Sequence, residues 1–142
     1  MQEAISHHFQ LSDIEFIDQV FLLNIDPKLF NHEAHIRFAW IVLNDFEFRK
    51  AVTHIHDSIK GLDQKFGDGT KYHATITQAL IEILTLRMKQ YQEQLDFETF
   101  MFENQDVLKF CKDLLLEHYS QDLLFSDAAK EQYIRPNRRL FH

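Results

Sequence analysis

Three of the nine histidines have the position and spacing of metal ligands. His32 and His35 are three residues apart, so on a helix their Cβ atoms lie about 5–6 Å apart on one face. Two imidazole nitrogens at that spacing can bind one ion at about 2.0–2.1 Å. His73, on a later helix, would supply a third nitrogen and leave coordination positions for water or a small-molecule ligand. The pattern predicts a three-histidine metal site, as in a small metal-dependent enzyme.

Helix geometry selects these three histidines from the nine. A helix turns by about 100° per residue, so the apolar stripe identifies the face that points inward. His32 and His73 lie within the apolar stripes of their predicted helices, and His35 lies at the edge of one. Each is near the first turn, where the positive end of the helix dipole favours a neutral imidazole. His118 also lies on an apolar stripe, but we leave it outside the predicted site.

The type of metal follows from what the pattern lacks. His32-Glu33-Ala34-His35 is one residue shorter than the zinc-protease motif, and the sequence has no Glu-x-x-His segment. The predicted site is therefore rich in nitrogen and poor in carboxylates. Such a site suits a divalent Zn, Fe, Cu or Ni ion better than Mg or Ca.

Tyr72 precedes His73, and Thr77 lies one helical turn after it. Both side chains could hydrogen-bond to a metal ligand or orient the substrate. The plainer interpretation is a core ring for Tyr72 and, for Thr77, a hydroxyl bonded to its own helix backbone.

The elements that position these residues are predicted to be helices. The chain has only three Gly and two Pro, too few for the turns of a many-stranded β fold, and 45% of its residues are hydrophobic. Apolar periodicity and end signals predict helices at the following approximate places: after Ser12-Asp13 as far as Asp26-Pro27, 32–44, 47–66, 71–95 and from Asp106 onward. They also predict a short helix at 97–103 and a last turn from Ser126 to 133. We predict an all-α bundle of about five to six helices in one domain, 1–142, with flexible ends at 1–11 and 135–142.

Charge and cysteine content narrow the function classes. The net charge of −7 disfavours nucleic acid and anionic membranes as partners. The basic cluster Arg135, Arg138 and Arg139 is interpreted as a solvated tail. Cys111 is the only cysteine, so no disulfide within the chain is expected. No apolar run approaches the length of a membrane span, and we predict a cytoplasmic protein.

Two motifs and a C-terminal signature resemble those of a family of small, uncharacterised bacterial all-helical proteins. The first is Phe30-x-His32-x-x-His35-Ile36-x-x-Ala39-Trp40, and the second is Tyr72-His73-x-Thr75-x-Thr77. The C-terminal signature has the following residues: Tyr119-Ser120, Leu123-Leu124, Ser126, Ala128 and Pro136. The resemblance implies no known activity, but it selects the same three histidines. The family often has Glu where this chain has Ala74, which would affect any acid–base role at that position.

Two other functions remain open from the sequence. The starts of the second and fourth predicted helices could bind a small anion through their backbone N–H groups, without a metal. Alternatively, the chain could be a protein-interaction domain, because apolar residues crowd one short segment: Phe97, Phe100, Met101 and Phe102. We favour the plainer interpretation, in which these residues cover one end of the bundle. The reaction, the substrate and the oligomeric state are left open.

Overall fold

The structure is a computed structural model that describes residues 4–141. In this range the chain forms nine α-helices and two short 3-10 helices and contains no β-strand. The predicted all-α class is therefore confirmed. Among these helices none combines the length and the apolar character needed to cross a membrane.

The helices have the following bounds: α1 Asp13–Phe21, α2 His32–Asp45, α3 Phe48–Phe66, α4 Ala74–Met88, α5 Phe97–Glu103, α6 Gln105–Lys109, α7 Cys111–His118, α8 Gln121–Leu124 and α9 Asp127–Glu131. The two 3-10 helices are His8–Gln10 and Pro27–Leu29. Contacts between Cα atoms divide the described chain into two compact units, residues 4–71 with α1–α3 and residues 72–141 with α4–α9. The prediction that the chain is a single domain stays a prediction.

In the first unit, α2 packs against α3, and α1 contacts both helices. Ser12 caps α1 and forms a reciprocal pair of hydrogen bonds with Glu15, as the sequence signal predicts. The chain leaves α1 at Leu23, whose φ of 56° lies in the left-handed region. The Leu23 side chain packs on Gly61 of α3, where a Cβ atom would lie only 2.9 Å from Leu23 Cδ1. Glycine at this position leaves room for the Leu23 side chain, which follows α1, to lie against α3.

In the second unit, α4 packs against α7 and α9, and α5, α6 and α7 follow one another in contact. A polar network joins the end of α4 to the α5–α6 junction. Arg87 binds Asp106 through two hydrogen bonds of 2.8 and 2.9 Å and also donates to Asn104 Oδ1. The buried Asn104 amide donates to the Tyr91 hydroxyl and to the Phe100 carbonyl. These bonds fix the residues after α4 in a turn.

The predicted helix count is too low because the C-terminal half is more segmented than its apolar pattern indicates. The helix predicted over 71–95 covers only Ala74–Met88, and the one predicted from Asp106 breaks at Phe110 into α6 and α7. Helix α8 has four residues, a length at which periodicity gives no signal. Phe110 has φ −128° and ψ 34°, which is outside the helical region and causes the break.

Residues near both ends of the chain are bound to the helices. At the start, His8 and Leu11 are buried. Near the end, the backbone of Arg138 and Arg139 bonds to His118, and the Phe141 ring stacks on the His118 ring. Residues 1–11 and 135–142 are predicted to be flexible ends, and residues 1–3 and 142 lie outside the described residues.

The apolar segment of α5 is mostly buried. Phe97, Phe100 and Met101 are at most 7% exposed, whereas Phe102 is 72% exposed. Most of this segment therefore contributes to the core, in line with the plainer of its two interpretations.

Candidate metal-binding histidines

The first turn of α2 carries two of the three predicted ligands. Asn31 caps the helix, and its Oδ1 accepts a hydrogen bond from the Ala34 N–H at 2.9 Å. His32 is the first residue of the helix and is exposed, whereas His35 is half-buried. The Phe30 ring lies against the His35 ring with 4.2 Å between their centroids. The hydrophobic residue before the cap thus packs on the imidazole one turn into the helix, much as in a hydrophobic staple.

His35 is a neutral imidazole at neutral pH. Burial lowers its pKa to about 4, and the nearby His32 lowers it further in the same direction. Within the described part of the chain, the His35 ring forms no hydrogen bond, and its one ring contact is with Phe30. Its ring therefore offers an unprotonated nitrogen that no hydrogen bond within the described chain uses, which is what a metal ion requires of imidazole.

His73, the third predicted ligand, belongs to the second unit and caps α4 instead of lying inside it. Its Nδ1 accepts a hydrogen bond from the Ile76 N–H at 3.0 Å, so Nε2 carries the proton and donates to the Leu124 carbonyl at 2.9 Å. Burial lowers the pKa of His73. A metal could bind this ring only if one of the two hydrogen bonds were lost. The role of His73 as a ligand stays a prediction.

Tyr72 and Thr77 are both half-buried in the second unit, and their supporting roles stay predictions. Among the described residues, the Thr77 hydroxyl has no hydrogen-bond partner. The threonine of this motif that does form hydrogen bonds is Thr75.

Thr75 is fully buried and holds the segment that follows α9. Its Oγ1 donates to the Gln132 carbonyl at 2.9 Å and accepts from the Ile134 N–H at 3.1 Å. The Tyr119 hydroxyl donates to the Ile134 carbonyl at 2.6 Å. The Tyr-His-x-Thr-x-Thr segment therefore bonds to the C-terminal part of the chain through His73 and Thr75. The motif spacing gives no sign of these contacts, because their partners are backbone atoms more than 50 residues away.

A second histidine cluster, which the sequence analysis does not single out, lies in the first unit. His7, His8 and Glu33 each place one possible metal-ligand atom within 4.8 Å of the other two. His8 Nε2 is 2.8 Å from Glu33 Oε1, and His7 Nε2 is 3.6 Å from the same oxygen. His8 is fully buried, although it lies seven residues from the N-terminus. Glu33 and Arg37, which carry opposite charges and are spaced i, i+4 on α2, are the sequence signal that could have indicated a polar cluster here.

The proton positions in this cluster oppose metal binding. His7 Nδ1 accepts from the Phe9 N–H, and His8 Nδ1 faces a guanidinium nitrogen of Arg37 at 3.3 Å. Both rings therefore carry their proton on Nε2, the nitrogen that points toward Glu33. The two rings are stacked, 4.5 Å apart and 27° from parallel. The cluster is a carboxylate approached by two N–H donors.

His118, which is outside the predicted site, forms hydrogen bonds with the C-terminal segment of the chain. Its Nδ1 donates to the Arg139 carbonyl at 2.8 Å, and its own carbonyl accepts from the Arg138 N–H. The Arg138 guanidinium donates to the Leu116 carbonyl. This part of the basic cluster is therefore bound to the end of α7, although its side chains remain exposed.

Comparisons with known proteins add no family to this picture. No family model matches the chain, and no match is found among curated proteins or solved structures. The resemblance stated above depends on its motifs alone and stays a prediction.

Proposed function

We propose that the first turn of α2 binds a divalent transition-metal ion through the imidazoles of His32 and His35. The observation that supports this proposal is the His35 ring, which is half-buried and neutral and has no hydrogen-bond partner in the described chain. A neutral ring nitrogen with no partner in the described chain is available to bind a metal ion from solution. An imidazole from His32, three residues earlier on the same helix face, would be the second ligand.

The ligand set favours Zn, Cu, Ni or Fe. The nearest carboxylate along the chain is Glu33, and its Oε1 already accepts a hydrogen bond from His8. Two imidazoles leave coordination positions for water or a small-molecule substrate, which is the arrangement of catalytic sites and not of closed structural ones. His73 belongs to the other unit, and the proposal does not depend on it.

The alternative of an anion bound at the helix starts has less support. The side chains of Asn31 and His73 already accept hydrogen bonds from first-turn N–H groups of α2 and α4, at Ala34 and Ile76 respectively. Each cap removes a donor that an anion would use.

Calorimetric titration of the tag-free, chelator-treated protein with Zn²⁺, Ni²⁺ and Cu²⁺ tests the proposal. We expect about one equivalent of metal to bind. His35→Gln and His32→Gln should each weaken binding by more than about tenfold, because even residues that only hydrogen-bond to metal ligands contribute that much to affinity. His54→Gln is the matched control, because the His54 ring packs on Phe21 and Phe46 elsewhere in the unit. Binding of less than about a tenth of an equivalent, or equal affinity in all three variants, would contradict the proposal.

A further inference from the structure

His8 has an environment that depends on its being neutral. It is fully buried; its Nε2–H donates to Glu33 Oε1 at 2.8 Å, and its Nδ1 faces Arg37 Nη1 at 3.3 Å. The guanidinium can only donate, so Nδ1 must be unprotonated for this contact to be favourable. A second proton on the ring would place two cationic N–H groups against each other.

Arg37 holds the N-terminal segment, residues 7–12, on α2. It is only 4% exposed and donates to the backbone carbonyls of His8 at 2.8 Å and Leu11 at 3.0 Å. It also donates to Asp13 Oδ1 at 2.8 Å, and its guanidinium lies 4.4 Å from the centre of the Phe16 ring. The attachment of the segment thus depends on one buried cation that contacts the His8 ring.

We propose that His8 is a pH-dependent switch: protonation of its ring detaches the N-terminal segment from Arg37 and the first two turns of α2. The proposal is independent of metal binding at His32 and His35. It assigns a conformational role to the one described histidine whose side chain is completely buried.

Burial of the His8 ring sets the direction of the switch, and the charged groups around it add to or oppose that effect. Arg37 and His7 oppose a proton on the ring, and Glu33 favours it; Asp13 acts through its bond to Arg37. The opposing cation is buried, whereas the Glu33 and Asp13 side chains are 24% and 65% exposed, so solvent screens the carboxylates more. The remaining neighbours are the apolar rings of Phe9 and Phe16. Burial is the largest cause that lowers the pKa of His8; the Glu33 hydrogen bond raises it, and the charges of His7 and Arg37 lower it by less than burial does.

Amide hydrogen exchange followed by NMR between pH 8 and pH 5 tests the switch. The reporter is the Leu11 N–H, which donates to the His8 carbonyl at 3.0 Å. Above the ordinary imidazole pKa of 6.5 we expect full protection. Below pH 6.5 the protection factor, corrected for the intrinsic exchange rate, should fall. The total loss should be about tenfold for each unit by which attachment of the segment lowers the His8 pKa. Amides in the middle of α2, such as that of Ile41, should keep their protection, which separates detachment from unfolding.

Two variants and one further measurement complete the test. In His8→Gln the Leu11 protection should no longer depend on pH, and in His7→Gln, the matched control, the wild-type dependence should remain. If the segment of His8→Gln does not attach to α2, the ring nitrogens of wild-type His8 are titrated directly, and the loss of Leu11 protection should lie between pH 6.5 and the midpoint of that titration. The proposal is overturned if wild-type protection is the same at both pH values, if His8→Gln loses it as the wild type does, or if the His8 ring titrates at or above pH 6.5.

Discussion

At the scale of single residues, three histidines have a lowered pKa in three different surroundings. His35 is half-buried beside a phenylalanine ring with no hydrogen bond in the described chain, His73 caps a helix, and His8 lies between a guanidinium and a carboxylate. Burial is the main cause of the lowered pKa in all three cases. Only His35 combines neutrality with a ring nitrogen that no hydrogen bond uses, which is why it carries the proposed metal site.

The stability of the metal-free protein should fall in mild acid because of His35. The folded pKa, about 4, is below the ordinary value of 6.5, so between these values the unfolded chain binds a proton that the folded chain does not. Above pH 6.5 the full stability is present, and it declines as the pH falls toward 4. The gap corresponds to about 3 kcal/mol at most, and partial exposure of the ring reduces this to about 1–3 kcal/mol.

Urea unfolding of the wild type and His35→Gln at pH 7.5, 5.5 and 4.5 measures this effect. The difference in unfolding free energy between the two proteins should shift in favour of the glutamine variant as the pH falls. His8 and His73 contribute a slope of the same sign, but they are present in both proteins and cancel in the comparison. A difference that is constant across the three pH values would contradict the lowered pKa of His35.

At the scale of helices, capping explains which boundaries are predictable. Ser12, Asn31 and Ser126 cap α1, α2 and α9 through side-chain oxygens, and the sequence signals locate these starts correctly. The start of α4 is placed too early because its cap is a histidine, a residue with no strong capping preference. The same error affects the predicted site: His73, expected on the inward stripe of a helix, instead uses Nδ1 as a cap acceptor.

Substitution of His73 should separate its capping role from its bond to Leu124. An asparagine side chain can still accept a hydrogen bond from the Ile76 N–H, but it is too short to donate to the Leu124 carbonyl. His73→Asn should therefore lower the free energy of unfolding by about 1 kcal/mol. His73→Ala loses both contacts and should cost about 2 kcal/mol. Chemical denaturation measures both values, and equal costs for the two variants would contradict the capping role.

Metal titration of His73→Asn then tests the three-histidine prediction. If His73 is a third ligand, this variant should bind Zn²⁺ or Ni²⁺ more than about tenfold more weakly than the wild type. If its affinity is unchanged while His35→Gln loses binding, the metal site consists of the α2 pair without His73.

At the scale of the whole molecule, contacts between residues far apart in the sequence cannot be predicted from local sequence patterns. Periodicity predicts the helical class, because it depends on neighbours three and four residues apart. The attachment of the N-terminal segment to Arg37 and of the C-terminal segment to Thr75 depends on backbone carbonyls far away in the sequence. Such partners leave no mark on composition or spacing. Both segments were for that reason assigned to flexible ends.

Thr75 and Thr77 provide a matched pair for testing the C-terminal attachment. Both occupy the first turns of α4, and valine has nearly the same shape and helix propensity as threonine. Thr75→Val removes one hydroxyl and leaves the Gln132 carbonyl and the Ile134 N–H without their partner, so it should cost about 2–3 kcal/mol and speed exchange of the Ile134 amide. Thr77→Val should change stability by less than about 0.5 kcal/mol and leave that amide protected. Equal effects of the two substitutions would mean that Thr75 does not hold the segment, and the motif that contains both threonines would then need an explanation other than chain fastening.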